Sequence, residues 1–287
     1  MPLSPSAAAS VDLRVESVEE VLGRVERGLG TVLDRASLVR KRRSLGARSG
    51  RGTWVRVERR GVERIGGQGW NGVECAAVLE GIAKPEWYAG LAWREDDGAA
   101  MWRADETELV AAPPVRPGGR LTEDPGLGEA WWGTLNRSLD ALAGARTNRV
   151  ATPDTVPVTR ESVAGAIRTA FPEAGIDLVL EEWTPAHADL NWANLTAPEC
   201  WLLDWEDWGM APRGLDAAKL WGSSLAVPGL AQRVLRERRA DLESRSGKLM
   251  ALFFCAKVLP YADPRDPLAG PARREADRLL AELQAPR

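Results

Sequence analysis

The chain has 287 residues, 44% of them hydrophobic and 28% charged, a composition ordinary for a globular protein of one large or two modest domains. Its 38 basic and 41 acidic residues leave a net charge of −3, so no global field draws it to nucleic acid or to an anionic membrane. The single histidine, His187, excludes a metal site or catalytic triad built on several histidines, and Cys75, Cys200 and Cys255 offer neither a C-x-x-C pair nor an even-numbered disulfide framework.

No run is long and apolar enough to span a bilayer, and the first ten residues lack the basic and apolar stretches of a signal peptide. A reduced, cytoplasmic setting with buried thiols is the expectation. Residues 1–10 read as a loose tail. Ser17 and Glu20 then have the spacing of a capping box, and Val18, Val21, Leu22, Val25, Leu29 and Val32 fall on one helical face. Residues 38–45, the glycine-rich stretch 46–52 and residues 53–58 read as strand, turn and strand. A flexible turn of this kind closes over phosphates in some folds and is a plain hairpin loop in others, and this one does not match G-x-G-x-x-G. The basic cluster from Arg40 to Arg64 holds Trp54 as its only aromatic residue. That fits a solvated hairpin with one or two phosphate contacts better than a surface for stacking nucleic-acid bases.

Residues 72–81 read as a short helix. Asp97-Gly98 is a hairpin signal between the strands 87–94 and 99–103. A third run, 108–112, precedes Pro113-Pro114 and Pro117-Gly118-Gly119. The boundary between a strand-rich N-terminal portion, 1–112, and a mainly helical portion, 113–287, is expected there. Trp131, Leu135, Leu139 and Leu142 share a helical face; residues 159–171 align Val163, Ile167 and Ala170 and stop at Pro172. Further helical segments cover residues 217–221, 230–242, 248–259 and 272–283. Thirteen tryptophans, against three phenylalanines and two tyrosines, are expected mostly in the core. Trp192 and Trp208 flank the polar stretch described next and read either as walls of an acceptor pocket or as core.

Residues 187–194 are His-Ala-Asp-Leu-Asn-Trp-Ala-Asn, the pattern H-x-D-L-x-x-x-N. Two short strands, 195–196 and 201–203, follow around the turn 197–199 and lead into Asp204-Trp205-Glu206. This spacing suits phosphoryl transfer from a nucleotide. Asp189 can accept a hydrogen bond, and then a proton, from an attacking hydroxyl. Asn194 offers a neutral oxygen to a metal, and the hairpin returns Asp204 to the same ion. Mg²⁺ accepts such a small set of hard oxygens when phosphates complete its shell. Each residue alone has a plainer reading: a satisfied core histidine, or a solvated hairpin end for Asp204 and Glu206.

The stretch resembles the aminoglycoside phosphotransferase and choline kinase superfamily, whose loop commonly reads H-G-D-L-x-x-x-N before an apolar run into D-W-E or D-F-E. Ala188 stands where that pattern has glycine. Pro212-Arg-Gly-Leu-Asp216 resembles the family's Pro and Asp at the next helix, with one residue more between them. The resemblance implies an α+β, two-lobed protein-kinase-like fold: a small antiparallel β lobe with a helix, and a larger helical lobe. It implies an ATP- or GTP-dependent, Mg²⁺-requiring phosphotransferase acting on a hydroxyl of an antibiotic, a sugar or another metabolite. Asp189 would be the base, Asn194 and Asp204 the metal ligands, and His187 and Asp216 the loop supports. Arg56 would stand where the family places its small-lobe phosphate-binding cation, with Glu74, Glu63 or Glu80 as its partner. Trp192, Glu206 and Trp208 are the candidates for an acceptor pocket. Arginine at position 56, where the family commonly has a lysine, and the unusual glycine turn keep a second expectation open, a kinase-like binding or regulatory module with little activity. Oligomeric state is not legible.

Overall fold

The computed structural model describes residues 11–65, 68–153, 156–263 and 265–284; the tail expected over residues 1–10 lies outside them. The chain divides into two units, the first made of Met1–Ala77 and Pro85–Ala111, the second of Val78–Lys84 and Ala112–Arg287.

In the first unit, helix α1 covers Glu19–Leu29. The capping box expected of Ser17 does not form. Val18, buried at 4% exposure, occupies the cap position instead, and its aliphatic side chain has no acceptor for a cap hydrogen bond. The helix ends at Gly30, whose φ of 63° is the left-handed conformation that glycine adopts without a Cβ penalty; Val32 lies beyond it and is exposed. Five antiparallel strands follow: β1 Val39–Arg40, β2 Ser44–Arg48, β3 Trp54–Gly61, β4 Trp87–Arg94 and β5 Ala100–Thr107, in the order β1-β2-β3-β5-β4. Their alternation puts Leu45, Ala47, Val55, Val57, Trp102 and Ala104 against Leu22 and Val25 of α1. Arg56 and Glu58 of β3 and Arg103 and Asp105 of β5 occupy the other set of positions, with Arg56 opposite Asp105 and Glu58 opposite Arg103. Gly46 belongs to β2 and not to the turn. A Cβ there would lie 2.1 Å from the Trp54 ring, so the indole takes the space a side chain would fill. The turn itself is shorter than expected, closed by Ser49 N–H donating to Thr53 O at 2.9 Å. Asp97-Gly98 does form the β4–β5 hairpin, with Gly98 at φ 72° and Glu95 N–H donating to Ala100 O at 2.9 Å. Helix α2 spans only Gly72–Cys75 before a 3-10 turn, Ala76–Val78, and residues 108–112 form no strand.

In the second unit, the helices are α3 Glu129–Ala143, α4 Arg160–Ala170, α5 Leu215–Ser223, α6 Pro228–Glu237, α7 Arg239–Leu242, α8 Arg245–Val258 and α9 Ala269–Gln284. The strands β6 Trp183–Ala186 and β7 Gly209–Pro212 pair antiparallel. Residues 176–180, which lead toward β6, form no regular element. Residues 230–242, expected as one helix, divide at Arg238, whose guanidinium bonds Asp140 and Asp241. Val78–Lys84 interrupts the expected boundary because Ala83 is tied into this unit: its N–H donates to Ser138 Oγ at 3.0 Å and its carbonyl accepts from Leu202 N–H at 2.7 Å. Thr159 caps α4 in a capping box with Ser162. Helix α8 is the centre of the unit, with Leu249, Met250, Leu252 and Cys255 fully buried and α4, α5 and α9 packed around it. Burial pushes the Cys200 and Cys255 thiols up to about 12, so both stay protonated; Cys75 is only half-buried. Among the described residues, no helix is long and apolar enough to cross a membrane.

The starts of α5 and α8 approach with glycine on both sides. A Cβ at Gly214 would meet Gly247 Cα at 2.7 Å, and one at Gly247 would lie 1.9 Å from Asp241 O. Both obstacles are backbone, which cannot rotate away as a flexible side chain does. Gly247→Ala is expected to destabilise the protein by about 2–3 kcal/mol through overpacking. Chemical denaturation of the two proteins measures it, and a difference below about 0.5 kcal/mol would show that this contact yields freely.

Candidate active site

The loop 187–194 leaves β6 and is held from beneath by α5. The Asp216 carboxylate accepts His187 N–H on Oδ2 at 2.7 Å and Ala188 N–H on Oδ1 at 2.9 Å. Ala188 adopts φ 70°, a left-handed conformation that costs a residue with a Cβ about 1 kcal/mol relative to glycine. The two bonds from Asp216 fix that turn although the residue is alanine. Desolvation of the Asp216 carboxyl raises its pKa from the ordinary value, against the opposing pull of His187, the two N–H donors and Lys219. His187 is fully buried and lies edge-on to Trp205, with ring centroids 4.7 Å apart. Its Nδ1 accepts from Asp189 N–H at 3.3 Å, which leaves Nε2 as the protonated nitrogen, donating to Leu203 O at 2.8 Å. The histidine thus joins the start of the loop to the residue before Asp204.

Asp189 is partly open, its side chain 38% exposed. Oδ2 accepts from Asn194 Nδ2 at 2.9 Å, and Asn194 Nδ2 also donates to Asp189 O at 2.8 Å. Oδ1 accepts from Lys219 Nζ at 2.9 Å. The strands around 197–199 are reduced to the bridge between Leu195 and Leu202, extended by Leu203 N–H donating to Asn194 O at 2.8 Å. Asp204 follows, exposed and in the left-handed region at φ 66°. Asn194 and Asp204 are therefore brought to the two ends of one hydrogen-bonded turn-back. Using Nδ2 on Asp189 leaves Oδ1 as the Asn194 atom available to a cation. No three His, Cys, Asp or Glu side chains cluster as a complete cage among the described residues. One amide oxygen and one exposed carboxylate suit Mg²⁺, which keeps water and phosphate oxygens in its shell, and the donor set fits that ion.

Several expected residues take other places. Trp192 is fully buried; it stacks on Trp131 at 6.1 Å and donates from Nε1 to Ser224 Oγ at 3.0 Å. Trp208 is 2% exposed, with the Arg149 guanidinium 5.1 Å from its ring. Neither indole has a face to offer an acceptor, and both are core residues. Glu206 remains partly exposed, its carbonyl accepting from Arg149 Nη2 at 3.3 Å. In the first unit, Glu74 Oε2 accepts from Arg103 Nη2 at 3.1 Å, and Arg56 lies 3.7 Å from Glu58. The cation found on Glu74 therefore comes from β5, where β3 and Arg56 were expected to supply it. Lys219 is the residue the sequence reading missed. It stands three positions after Asp216 on α5, one turn along the same face, and that register is the signal that could have found it.

No protein-family model and no curated protein matches the sequence. Solved structures do match. Amicoumacin kinase hAmiN, in complex with AMP-PNP, Ca²⁺ and Ami, is 12% identical over 93% of this chain and 94% of its own, with a TM-score of 0.54. The GDP and kanamycin complex of APH(2″)-IIia is also 12% identical, over 93% of this chain and 99% of that one, with a TM-score of 0.54. The streptomycin–ATP–APH(2″)-IIa ternary complex is 11% identical, over 85% and 90% of the two chains, with a TM-score of 0.52. At such identities the likeness speaks for architecture. The chain shares with these three structures a two-lobed, protein-kinase-like α+β fold.

Proposed function

We propose that the protein transfers the γ-phosphoryl group of ATP or GTP, with Mg²⁺, to a hydroxyl of a small molecule. The observation that carries the reading is the Asp189 carboxylate, open to solvent on a braced loop, with Asn194 on one oxygen and Asp204 at the end of the adjoining turn-back. Asp189 accepts the acceptor hydroxyl's hydrogen bond and takes its proton as the new O–P bond forms and the bond to the nucleoside diphosphate breaks. Asn194 and Asp204 would hold Mg²⁺, whose charge, when bound, offsets that of the phosphates. His187 and Asp216 keep the loop in shape. In this reading Arg56 and Glu74 serve the nucleotide, with Arg103 beside them, and Glu206 stands on the acceptor side. Three structures that share the fold add support, since they carry AMP-PNP with Ami, GDP with kanamycin, and ATP with streptomycin. The acceptor class stays as broad as a hydroxyl-bearing antibiotic, sugar or other metabolite.

Thermal unfolding tests the reading. A ligand that binds only the native state at a hundred times its Kd adds about 2.7 kcal/mol, or roughly 5 °C in Tm for a chain of this size. ATP or GTP with Mg²⁺ is expected to give that shift, and Asp204→Ala to remove its metal-dependent part. A wild-type protein unmoved by millimolar concentrations of either nucleotide would sink the phosphotransferase reading and leave the kinase-like binding module in its place.

A further inference from the structure

Helix α5 grips the catalytic loop at two points one helical turn apart. Asp216 takes the N–H groups of His187 and Ala188, as described above. Lys219 takes the opposite side of the same short segment: its Nζ donates to Ala188 O at 2.7 Å and to Asp189 Oδ1 at 2.9 Å. The N–H and the carbonyl of the left-handed Ala188 are thus both tied to one helix face, and the second tie ends on the carboxylate that would receive the acceptor's proton. The carboxylate is engaged on both oxygens, by Lys219 on Oδ1 and by Asn194 on Oδ2. Its rotation is thereby fixed. Each carboxylate oxygen has a second lone-pair site, so the clamp leaves room for an incoming hydroxyl.

A plain surface ion pair does not account for this arrangement. Lys219 and Asp189 are 24% and 38% exposed, and pairs so open to solvent add little stability. What the geometry does supply is orientation, together with a positive charge next to the carboxylate. The charge is fixed before reaction by the bond to Ala188 O, so little reorganisation is needed when negative charge gathers on the acceptor oxygen.

We propose that Lys219 is a positioning residue for Asp189, which holds the carboxylate in its working orientation and keeps a compensating charge beside it. The inference rests on the phosphotransferase reading. Steady-state transfer is measured for the wild type, Lys219→Met, Lys219→Gln and Lys219→Arg, with Tm recorded for each. Lys219→Met is expected to lower kcat by about 10- to 100-fold with the nucleotide KM within twofold and Tm within a few degrees. Lys219→Gln, neutral but still able to donate to Ala188 O, is expected to share most of that loss if Lys219→Met fails to fold. Lys219→Arg is expected to recover at least part of the activity. In an Asp189→Asn background the same Lys219 changes are expected to add almost nothing, because the group they position is gone. A folded Lys219→Met or Lys219→Gln with wild-type kcat overturns this inference alone. A wild type that turns over no acceptor overturns the functional reading, and this inference with it.

Discussion

Asp189→Asn is expected to lower kcat by about 10²- to 10⁴-fold, the range associated with removing a positioned general base. The substitution is nearly isosteric and changes little else. The amide oxygen it introduces could still accept from Lys219 or Asn194, and the loop's main anchors lie on His187 and Ala188, outside the altered side chain. The side chain is partly exposed, so folding stability should hold to within about 1 kcal/mol. The Tm shift given by nucleotide and Mg²⁺ should also survive, since Asn194 and Asp204 are untouched. Activity lost with nucleotide binding kept is the signature of a residue that acts in the transition state. Steady-state turnover beside thermal unfolding gives both numbers. A variant that keeps more than a tenth of wild-type kcat would remove Asp189 from the role of base.

The parts legible in sequence are those decided by local rules. The Asp97-Gly98 hairpin follows from turn chemistry, α3 follows from apolar spacing, and α4 from apolar spacing with its stop at Pro172. The order Asp189, Asn194, Asp204 follows from a loop whose contacts span few residues. The misreadings arise where a distant neighbour decides. Gly46 looks like part of a glycine-rich turn, yet it sits in β2 because Trp54 from the paired strand occupies its side-chain space. Trp192, which in sequence reads equally as pocket wall or as core, is drawn inward by Trp131 and Ser224, both far along the chain. Glu74 finds Arg103, which alternation along β5 sets on the same side as Asp105. Lys219 lies 30 residues from Asp189, and only the register of α5 relative to Asp216 connects them. Local spacing thus places the polar residues of the loop in order, while the loop's support comes from contacts that a linear reading does not contain.

Asp216→Ala is expected to be the most damaging single change to the loop, costing about 3–5 kcal/mol of stability and most of the activity. The carboxylate is the acceptor for two N–H groups on residues that are themselves 0% exposed. Removing it strands both donors, and an unsatisfied buried donor costs about 1–3 kcal/mol. It also releases Ala188 from the left-handed turn, which alanine does not hold unaided. Asp216→Asn separates these effects. One amide oxygen replaces one carboxylate oxygen, while the NH₂ group would face the other N–H, so about half the loss is expected. The titration of Asp216 gives a further check. Burial raises its pKa, so between the unfolded value and the raised one the native state carries a proton that the unfolded chain has lost. Stability contributed by this group therefore falls as pH rises through that interval, and Asp216→Asn is expected to flatten that part of the profile. Urea denaturation at pH values upward from the ordinary carboxylate range measures both quantities. An Asp216→Ala protein within 1 kcal/mol of wild type would show that the loop keeps its shape without α5, and the support proposed for Asp216 would then have to be sought in His187 and its bond to Leu203.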